Sequence, residues 1–315
     1  MRRLLVLRLM NLVPVLIGVT FLSFCIINLL PGNVATQILG DNATPSAVRA
    51  LSQELGLNKP LLVRYWDWVS SALHGNLGSS LLTHQGVGAA IWHAAPPTVE
   101  LIIYAEVISL ILTCSLSFWS VWTRSRLLDR IITSVSVAGY SLPSFVVGVV
   151  LLLIFSVKLH WVPTISYIPF SLGIGKNLES MALPSVTLAL GLFPTHMRVF
   201  RGDMLEQLDH EDYVSLGWLK GLTKAQIIFR HVAKNAAAGF ITLLGLQLGF
   251  LAAGAVLVEQ VFTINGIGTL LLTSINNEDA TMVEGILLLT ATVVVLANLM
   301  ADVLTMLIDP LAASR

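Results

Sequence analysis

Charged side chains are scarce in this chain. Only 11% of its 315 residues are charged and 55% are hydrophobic, which gives a mean hydropathy of +0.82. Soluble domains usually carry about 25% charged residues, so the composition excludes an ordinary soluble domain and predicts an integral membrane protein. The 18 basic and 18 acidic residues cancel to a net charge of zero, and this balance argues against nucleic acid as a partner.

Cysteine is almost absent as well. Cys25 and Cys114 are the only two cysteines, and both lie in apolar stretches. Such a pair predicts neither a disulfide framework nor a cysteine metal site, and favours small apolar packing residues. The seven histidines show no ligand spacing, so the sequence predicts no metal site.

Common catalytic and nucleotide-binding motifs are missing too. The sequence contains no G-x-x-x-x-G-K-[ST], so an ATP-driven mechanism would need a second subunit to bind the nucleotide. H-E-x-x-H and G-x-S-x-G are also absent, which removes a zinc protease and an α/β-hydrolase. We therefore expect no catalytic residue and no cofactor on this chain.

Long apolar runs dominate what is present. A membrane-spanning helix needs about 20 apolar residues, and six runs meet that length, so we predict an all-α membrane protein with six transmembrane helices. The runs lie at about 9–30, 98–122, 131–157, 182–202, 236–261 and 283–307. The first exceeds the apolar core of a signal peptide, about 7–15 residues, and no A-x-A site follows it. An uncleaved anchor is favoured.

Basic residues predict the direction of these helices. With the N-terminus inside, the inner segments hold 13 Lys and Arg and the outer segments hold 5. The positive-inside rule then favours cytoplasmic N- and C-termini. In this topology 1–315 is one transmembrane domain, 31–97 is a large extracytoplasmic loop, and 203–235 lies in the cytoplasm.

The segment 203–235 is unusually polar for this chain. Acidic residues concentrate at 203–212, and the charges at 220–234 are all basic. A short helix is predicted from Asp212 to a glycine stop at Gly221. Thr223 and Gln226 have capping-box spacing, which predicts a second helix. A connector needs only about 2–8 residues, so this longer segment favours a surface for a partner. The alternative is a solvated loop held inside by its basic residues.

The order of residues in this segment resembles a known cytoplasmic loop. Asp212-Tyr213-Val214, Lys220-Gly221-Leu222, Arg230-His231 and Asn235 follow the "EAA" loop of ABC importer permeases, in particular the dipeptide/oligopeptide/nickel branch. Leu30-Pro31-Gly32, Pro97-Thr98-Val99-Glu100-Leu101, Val258-Glu259 and Asp309-Pro310 also resemble that branch. The chain departs from it at Leu216-Gly217-Trp218-Leu219, where alanine is usual, and after Asn235, where proline is usual.

This resemblance implies a fold, a role and partners. It implies a type I ABC importer permease in the bacterial inner membrane, passing di- or oligopeptides, or nickel or a metal chelate. Its expected partners are a second homologous permease, two cytoplasmic ATPase subunits, an extracytoplasmic substrate-binding protein and membrane lipid. It also implies an ATPase-coupling role for Asp212, Tyr213, Gly217, Lys220, Gly221, Leu222, Arg230, His231 and Asn235.

Two rival classes are weighed against this resemblance. A secondary transporter acting alone on an ion gradient more often has paired broken helices in two repeats, which the sequence does not display. A membrane receptor or scaffold would need no cavity. A secondary transporter has no use for an ATPase-docking segment. Transport that strictly requires ATP and a partner ATPase would exclude both classes.

Ionisable residues in the apolar runs are candidates for function by default. Glu259 and Asp302 stand where the family is also acidic, which implies packing or gating. Glu106 and His196 match no family pattern, so they could contact substrate if either faces a cavity. The alternative for both is a helix-end residue that is hydrogen-bonded to a neighbour.

Two arginines end the fourth apolar run. Arg198 and Arg201 are three residues apart and therefore share a helix face. Their side chains could snorkel to lipid headgroups or could form an ion pair with the acidic residues of 203–212. The sequence favours neither interpretation.

Overall fold

The computed structural model describes residues 2–29, 34–39, 43–54, 56–80, 82–162 and 167–308. Within these ranges the described set leaves out the helical side chains at 2–12, 27–29, 34, 37–38, 137–138, 140–141, 302 and 306–308, among them that of Asp302. The described residues form α-helices with one isolated antiparallel bridge, Ser79 to Gly86, which confirms the predicted all-α class. The helices are α1 (Arg2–Leu29), α2 (Val34–Leu39), α3 (Pro45–Glu54), α4 (Leu61–Leu73), α5 (Val87–Thr123), α6 (Arg126–Ser141), α7 (Ser144–Leu151), α8 (Ile174–His210), α9 (Asp212–Leu219), α10 (Ala233–Val261), α11 (Ile267–Asn276) and α12 (Ala280–Ile308).

Several of these helices suit a membrane. Three stretches of the described chain are long and apolar enough to cross one, namely Val87–Thr123, Gln226–Val261 and Ala280–Thr305. Shorter apolar helices lie at Val13–Ile26, Ser144–Lys158 and Ile267–Asn276. The count of six spans and the direction of the two termini stay predictions.

The third apolar run is interrupted. The prediction of one helix over 131–157 is wrong, because α6 ends at Ser141 and α7 begins at Ser144. Between them Leu142 is extended, with φ −106° and ψ 123°. Pro143 explains the break, since proline cannot donate a helical hydrogen bond and keeps the preceding residue out of the α region. Beyond α7 the chain continues as a π-helical segment, Leu152–Lys158.

Two helices extend past the apolar runs that predicted them. Helix α5 begins at Val87 rather than near 98, and α8 covers Ile174–His210 rather than 182–202. Each has 37 residues, or roughly 55 Å at 1.5 Å per residue, against a hydrocarbon core of about 30 Å. The added ends of α8 carry charged residues that hydropathy does not detect, whereas the added start of α5 is mostly apolar and contains Pro96 and Pro97, which disfavour a helix in the sequence pattern.

The described chain divides into two compact units. One comprises Pro97–Asn265 and the chain from Leu296 onward, and the other comprises Arg2–Pro96 and Gly266–Val295. In the first, buried Leu101, Met181, Leu188, Leu251 and Val258 form a core between α5, α8 and α10. Helices α10 and α12 approach closely, since a Cβ on Gly245 would overlap Ala301. Small residues permit such backbone contact between membrane helices.

The second unit has its own core around the start of α5. Val87 and Ile91 pack against Met282 and Ile286 of α12. The turn before α5 is tied to the same helix, because Ser80 Oγ donates to Asp279 Oδ2 at 2.5 Å. This unit therefore joins the segment after α4 to the start of α12.

Candidate functional site

Helix α9 and the turn after it occupy the centre of the 203–235 segment. The helix runs from Asp212 to Leu219, and Gly221 follows with φ +76°. The Gly221 N–H donates to the Trp218 carbonyl at 3.0 Å, and the Leu222 N–H donates to the Gly217 carbonyl at 3.1 Å. This pair of bonds is the Schellman motif, in which a left-handed glycine ends a helix. The predicted helix start and glycine stop are both confirmed.

The second helix begins as its capping residues predict. The Thr223 N–H donates to Gln226 Oε1 at 2.8 Å, and the Gln226 N–H donates to Thr223 Oγ1 at 3.3 Å. These reciprocal bonds form a capping box. The sequence did not predict that Gln226–Val232 would be π-helical before it continues into α10. Such π turns occur frequently at functional sites.

The inner face of α9 is packed into a shared core. Ile227, Ile228 and Val232 are buried on one face of the second helix. With Val214 of α9 they join side chains of α5, α8 and α10, namely Val121, Phe200, Met204 and Phe240. Gly217 fits closely here, since an added Cβ would lie 3.4 Å from Ile227 Cγ1. The helix is therefore held on three longer helices.

A lysine links the second helix to the end of α5. Lys224 Nζ donates to the Trp122 carbonyl at 2.6 Å and lies 5.4 Å from the centre of the Trp122 ring. Arg124, which follows α5, forms an ion pair with Asp209 near the end of α8. Both contacts fasten the 203–235 segment to α5.

Of the two interpretations left open for Arg201, the described part of the structure does not contain the ion pair with the acidic residues of 203–212. Arg201 instead pairs with Asp129 of α6, and its Nε donates to Ser120 Oγ of α5 at 2.8 Å. The reason is geometric, because Arg201 on α8 faces α5 and α6 rather than the residues that follow it. The acidic run uses Asp209 for its own pair, with Arg124.

The nine residues given a coupling role by resemblance separate into two groups. Tyr213, Gly217, Leu222 and His231 are buried or partly buried where α9 meets the next helix, and exposed Asn235 is hydrogen-bonded to Tyr213 there. The other four, Asp212, Lys220, Gly221 and Arg230, are exposed.

Tyr213 is the centre of the first group. Its hydroxyl donates to Gln207 Oε1 at 2.7 Å, and its ring lies 6.3 Å from that of His231. Burial raises the pKa of Tyr213, while a hydrogen bond with Asn235 opposes the rise. The group therefore holds α9 against its neighbours.

The outer face of α9 was missed by sequence reasoning. Leu216 and Leu219 are 54% and 84% exposed, and Trp218 at the flank is 48% exposed. In the sequence these three residues stand out only because the family usually has alanine at their positions. The available signal was their spacing, because Leu216 and Leu219 fall on the side opposite Val214 and Gly217.

Glu106 and His196 come together between α5 and α8. His196 is fully buried, its Nδ1 is hydrogen-bonded to Ser109 Oγ at 2.8 Å, and its Nε2 lies 4.0 Å from Glu106 Oε1. The His196 ring also meets Phe240 edge-on at 5.6 Å. The sequence indicated each of these two residues as a candidate but did not predict that they would lie together.

The structure describes the side chain of only one of the two acidic residues, Glu259 and Asp302, that match acidic positions of the family. Glu259 is fully buried and accepts a hydrogen bond of 2.5 Å from Thr98 Oγ1, which joins the end of α10 to α5. The side chain of Asp302 lies outside the described residues, so its gating role stays a prediction.

An open groove of about 650 Å³ lies in the first unit. It is bounded by α6, α7, α8 and α10, and most of its lining is apolar. Ser144, Thr195 and Gln247 supply polar groups, and Phe250 at its edge is 81% exposed. The residues that line it include neither Glu106 nor His196.

Comparison with known proteins gives the family. The inner membrane component of binding-protein-dependent transport systems matches residues 115–313, and the N-terminal region of such membrane components matches residues 1–101. The chain belongs to this family. A probable peptide ABC transporter permease of Sinorhizobium fredii is 33% identical over 96% of each chain. A dipeptide transport system permease of Alkalihalophilus pseudofirmus is 34% identical over 96% of this chain and 97% of its own. A glutathione transport system permease of Escherichia coli is 32% identical over 96% of each chain.

Membership of the family fixes the class of the protein. The chain is a multi-pass inner-membrane permease subunit of an ABC importer, and it is not an enzyme. A binding-protein-dependent permease works with a separate ATPase and with a substrate-binding protein. The rival class, a secondary transporter acting alone, does not agree with this membership.

Proposed function

We propose that this permease passes small peptides inward across the membrane, driven by an ATPase that binds α9. The three relatives described above are named for peptide, dipeptide and glutathione. Glutathione is itself a short peptide, so the three names share one substrate chemistry. Nickel or a metal chelate, which the family resemblance left open, has no support among these names.

The two-sided packing of α9 carries the proposal. Val214 and Gly217 are buried against the protein, while Leu219 on the other side is 84% exposed. Exposed apolar side chains grouped on one surface commonly indicate a protein interface. The family works with a soluble ATPase, and an eight-residue helix with an apolar outer face suits a groove on such a subunit.

The packing also gives a route for movement. The buried side of α9 shares one core with α5, α8 and α10. Protein interiors are close-packed and transmit strain, so a displacement of α9 would be passed to these helices rather than absorbed in a loop. The contacts of Lys224 with Trp122 add a second link to α5. In this mechanism ATPase closure moves α9, and the membrane helices follow.

The groove of the first unit is our candidate for part of the substrate path. Thr195 and Gln247 place polar groups on its otherwise mostly apolar lining, and a water-filled path suits polar groups better than lipid does. A second, homologous permease covering this side would turn the groove into a wall of a shared cavity. Exposed Leu246 and Phe250 of α10 are then contacts for that subunit. We also propose a cytoplasmic N-terminus, supported by the basic residues counted above.

The substitution Leu219→Asp tests the coupling proposal. We expect the variant permease to reach the membrane in normal amount, but to lose much of the co-purified ATPase and of peptide uptake. Leu172→Asp is the matched control, because Leu172 is also exposed, at 66%, and lies outside the 203–235 segment. Full ATPase binding and uptake by Leu219→Asp would contradict the proposal.

The substrate is tested separately with the assembled transporter and its binding protein. We expect ATP-dependent uptake of labelled di- or tripeptides and no competition by nickel ions. Uptake of nickel or a metal chelate without uptake of peptide would overturn the substrate assignment and leave the coupling role intact.

A further inference from the structure

Helix α4 carries an apolar strip that the described part of the chain leaves exposed. Leu62, Trp66 and Leu73 are 66%, 70% and 82% exposed. At about 100° per residue these three positions lie within roughly 40° of one another. The opposite side of the helix is polar, with exposed Ser71 and with Asp67, which pairs with Lys59 at 2.8 Å. The helix is thus amphipathic, with its apolar face exposed.

A third face of α4 packs against α1. Tyr65 Oη and Thr20 Oγ1 are hydrogen-bonded at 2.9 Å, and the Tyr65 hydroxyl also donates to the Ile17 carbonyl at 3.4 Å. The Tyr65 ring contacts those of Phe21 and Phe24, with centroids 5.2 and 5.5 Å away. These contacts fix α4 beside the middle and C-terminal part of α1.

The order of the contacts shows which way the apolar strip points. Tyr65, about 60° around the helix from Leu62, reaches down α1 as far as Ile17 and Thr20. Trp68 lies about 120° from Leu62 in the same direction around the helix, and its ring is 6.0 Å from that of Phe24. Arg64 lies about 160° from Leu62, and its guanidinium is 5.8 Å from the centre of the same Phe24 ring. The apolar strip is therefore on the side toward the N-terminus of α1, and the polar side is toward its C-terminal end.

The N-terminal direction along α1 leads into the bilayer. Arg8 is the last charged residue before the apolar run, and about 20 residues counted from it span the hydrocarbon core. That interval includes Ile17, Thr20 and Phe24, the residues that α4 contacts. Val13, about one turn below Ile17 on the same face, is 56% exposed. The strip on α4 thus continues the exposed apolar surface of a membrane helix.

We propose that α4 lies in the plane of the membrane, in the leaflet at the C-terminal end of α1, with Leu62, Trp66 and Leu73 against lipid acyl chains. Amphipathic helices bury an apolar face of this kind about 5–10 Å into the boundary between headgroups and acyl chains. Tryptophan is enriched at that depth. The helix anchors the segment after α1 to the lipid surface, so this face is not a docking site for the binding protein.

The test measures the surroundings of single positions on α4 in the assembled transporter. Leu62→Cys, Leu73→Cys and Ser71→Cys are made in a background with both native cysteines replaced by alanine, and each is labelled with bimane. The transporters are placed in nanodiscs that contain lipid spin-labelled near the headgroup. Peptide-stimulated ATP hydrolysis identifies the variants that are correctly assembled.

We expect spin-labelled lipid to quench bimane at Leu62 and Leu73 several-fold more than at Ser71, and aqueous iodide to do the reverse. Strong iodide quenching at all three positions would overturn the proposal, because the strip would then face water. Weak quenching of Leu62 and Leu73 by both agents would also overturn it, because another protein would then cover the strip.

Discussion

Gly221 offers the sharpest test of how the 203–235 segment works. Its φ of +76° is left-handed, and an added Cβ would meet nothing within 4 Å. The first atom of a side chain therefore meets no steric obstacle, and the main cost of a substitution is in the backbone energy. Holding an L-residue in the left-handed region costs about 1–3 kcal/mol, and a β-branched residue such as valine is disfavoured there in particular.

The strain has one evident route of relief. The turn can leave the left-handed conformation, which breaks the hydrogen bond from the Leu222 N–H to the Gly217 carbonyl and re-aims α9. A strain of about 1–3 kcal/mol lowers the equilibrium population of the conformation that docks α9 roughly 5–150-fold. We therefore expect Gly221→Val to weaken ATPase co-purification and to reduce peptide uptake sharply. The amount of protein in the membrane should change little, because no apolar span is altered.

Two control variants separate strain from side-chain size. Gly221→Asn should lose much less activity, since asparagine tolerates the left-handed region better than valine does. Gly202→Val makes the same substitution in α8, where an added Cβ also meets nothing within 4 Å and φ is not left-handed, so uptake should be nearly normal. Equal activity of Gly221→Val, Gly221→Asn and the unaltered protein would refute the reasoning, and the segment would then be only a tether.

Two further predictions concern stability and topology. Thr98→Val removes the hydrogen-bond donor to buried Glu259 and should lower the free energy of unfolding by about 1–3 kcal/mol. The control Thr113→Val should lower it little, because the buried Thr113 hydroxyl makes no hydrogen bond among the described residues. Thermal unfolding in detergent compares them, and equal losses would contradict the assigned role of the Thr98 bond. For topology, cysteines replacing exposed Gln53 and Lys234, in a background without the native cysteines, should differ in intact cells. We expect an impermeant thiol reagent to label only the first, and labelling of only the second would invert the orientation.

Local signals in the sequence were read successfully where a few neighbouring residues decide the structure. The ends of α9 depend on Gly221, and the start of the next helix depends on Thr223 and Gln226, three residues apart. Pro143 is also a local signal, and it could have predicted the break between α6 and α7. The sequence analysis nevertheless predicted one continuous helix, because the residues around Pro143 form one long apolar run.

Contacts between distant residues could not be predicted in this way. His196 meets Ser109 across 87 positions, and Glu259 meets Thr98 across 161. Periodicity places each residue on a helix, but it does not state which face of another helix lies opposite. For the same reason the sequence offered only the nearby acidic residues or lipid as partners of Arg201, whereas its partner is Asp129 on α6.

The departures of this chain from the alanine-rich loop of its family now have a structural interpretation. Gly217 occupies the inner side of α9, where an added Cβ would be in ordinary van der Waals contact with Ile227 and Leu222, at 3.4 to 3.5 Å. Leu216 and Leu219 occupy the outer side, where the chain itself imposes no limit on size. The inner side is constrained by this protein and the outer side by whatever binds it. We therefore expect the cognate ATPase to have a groove wider and more apolar than one that accepts alanine at these positions.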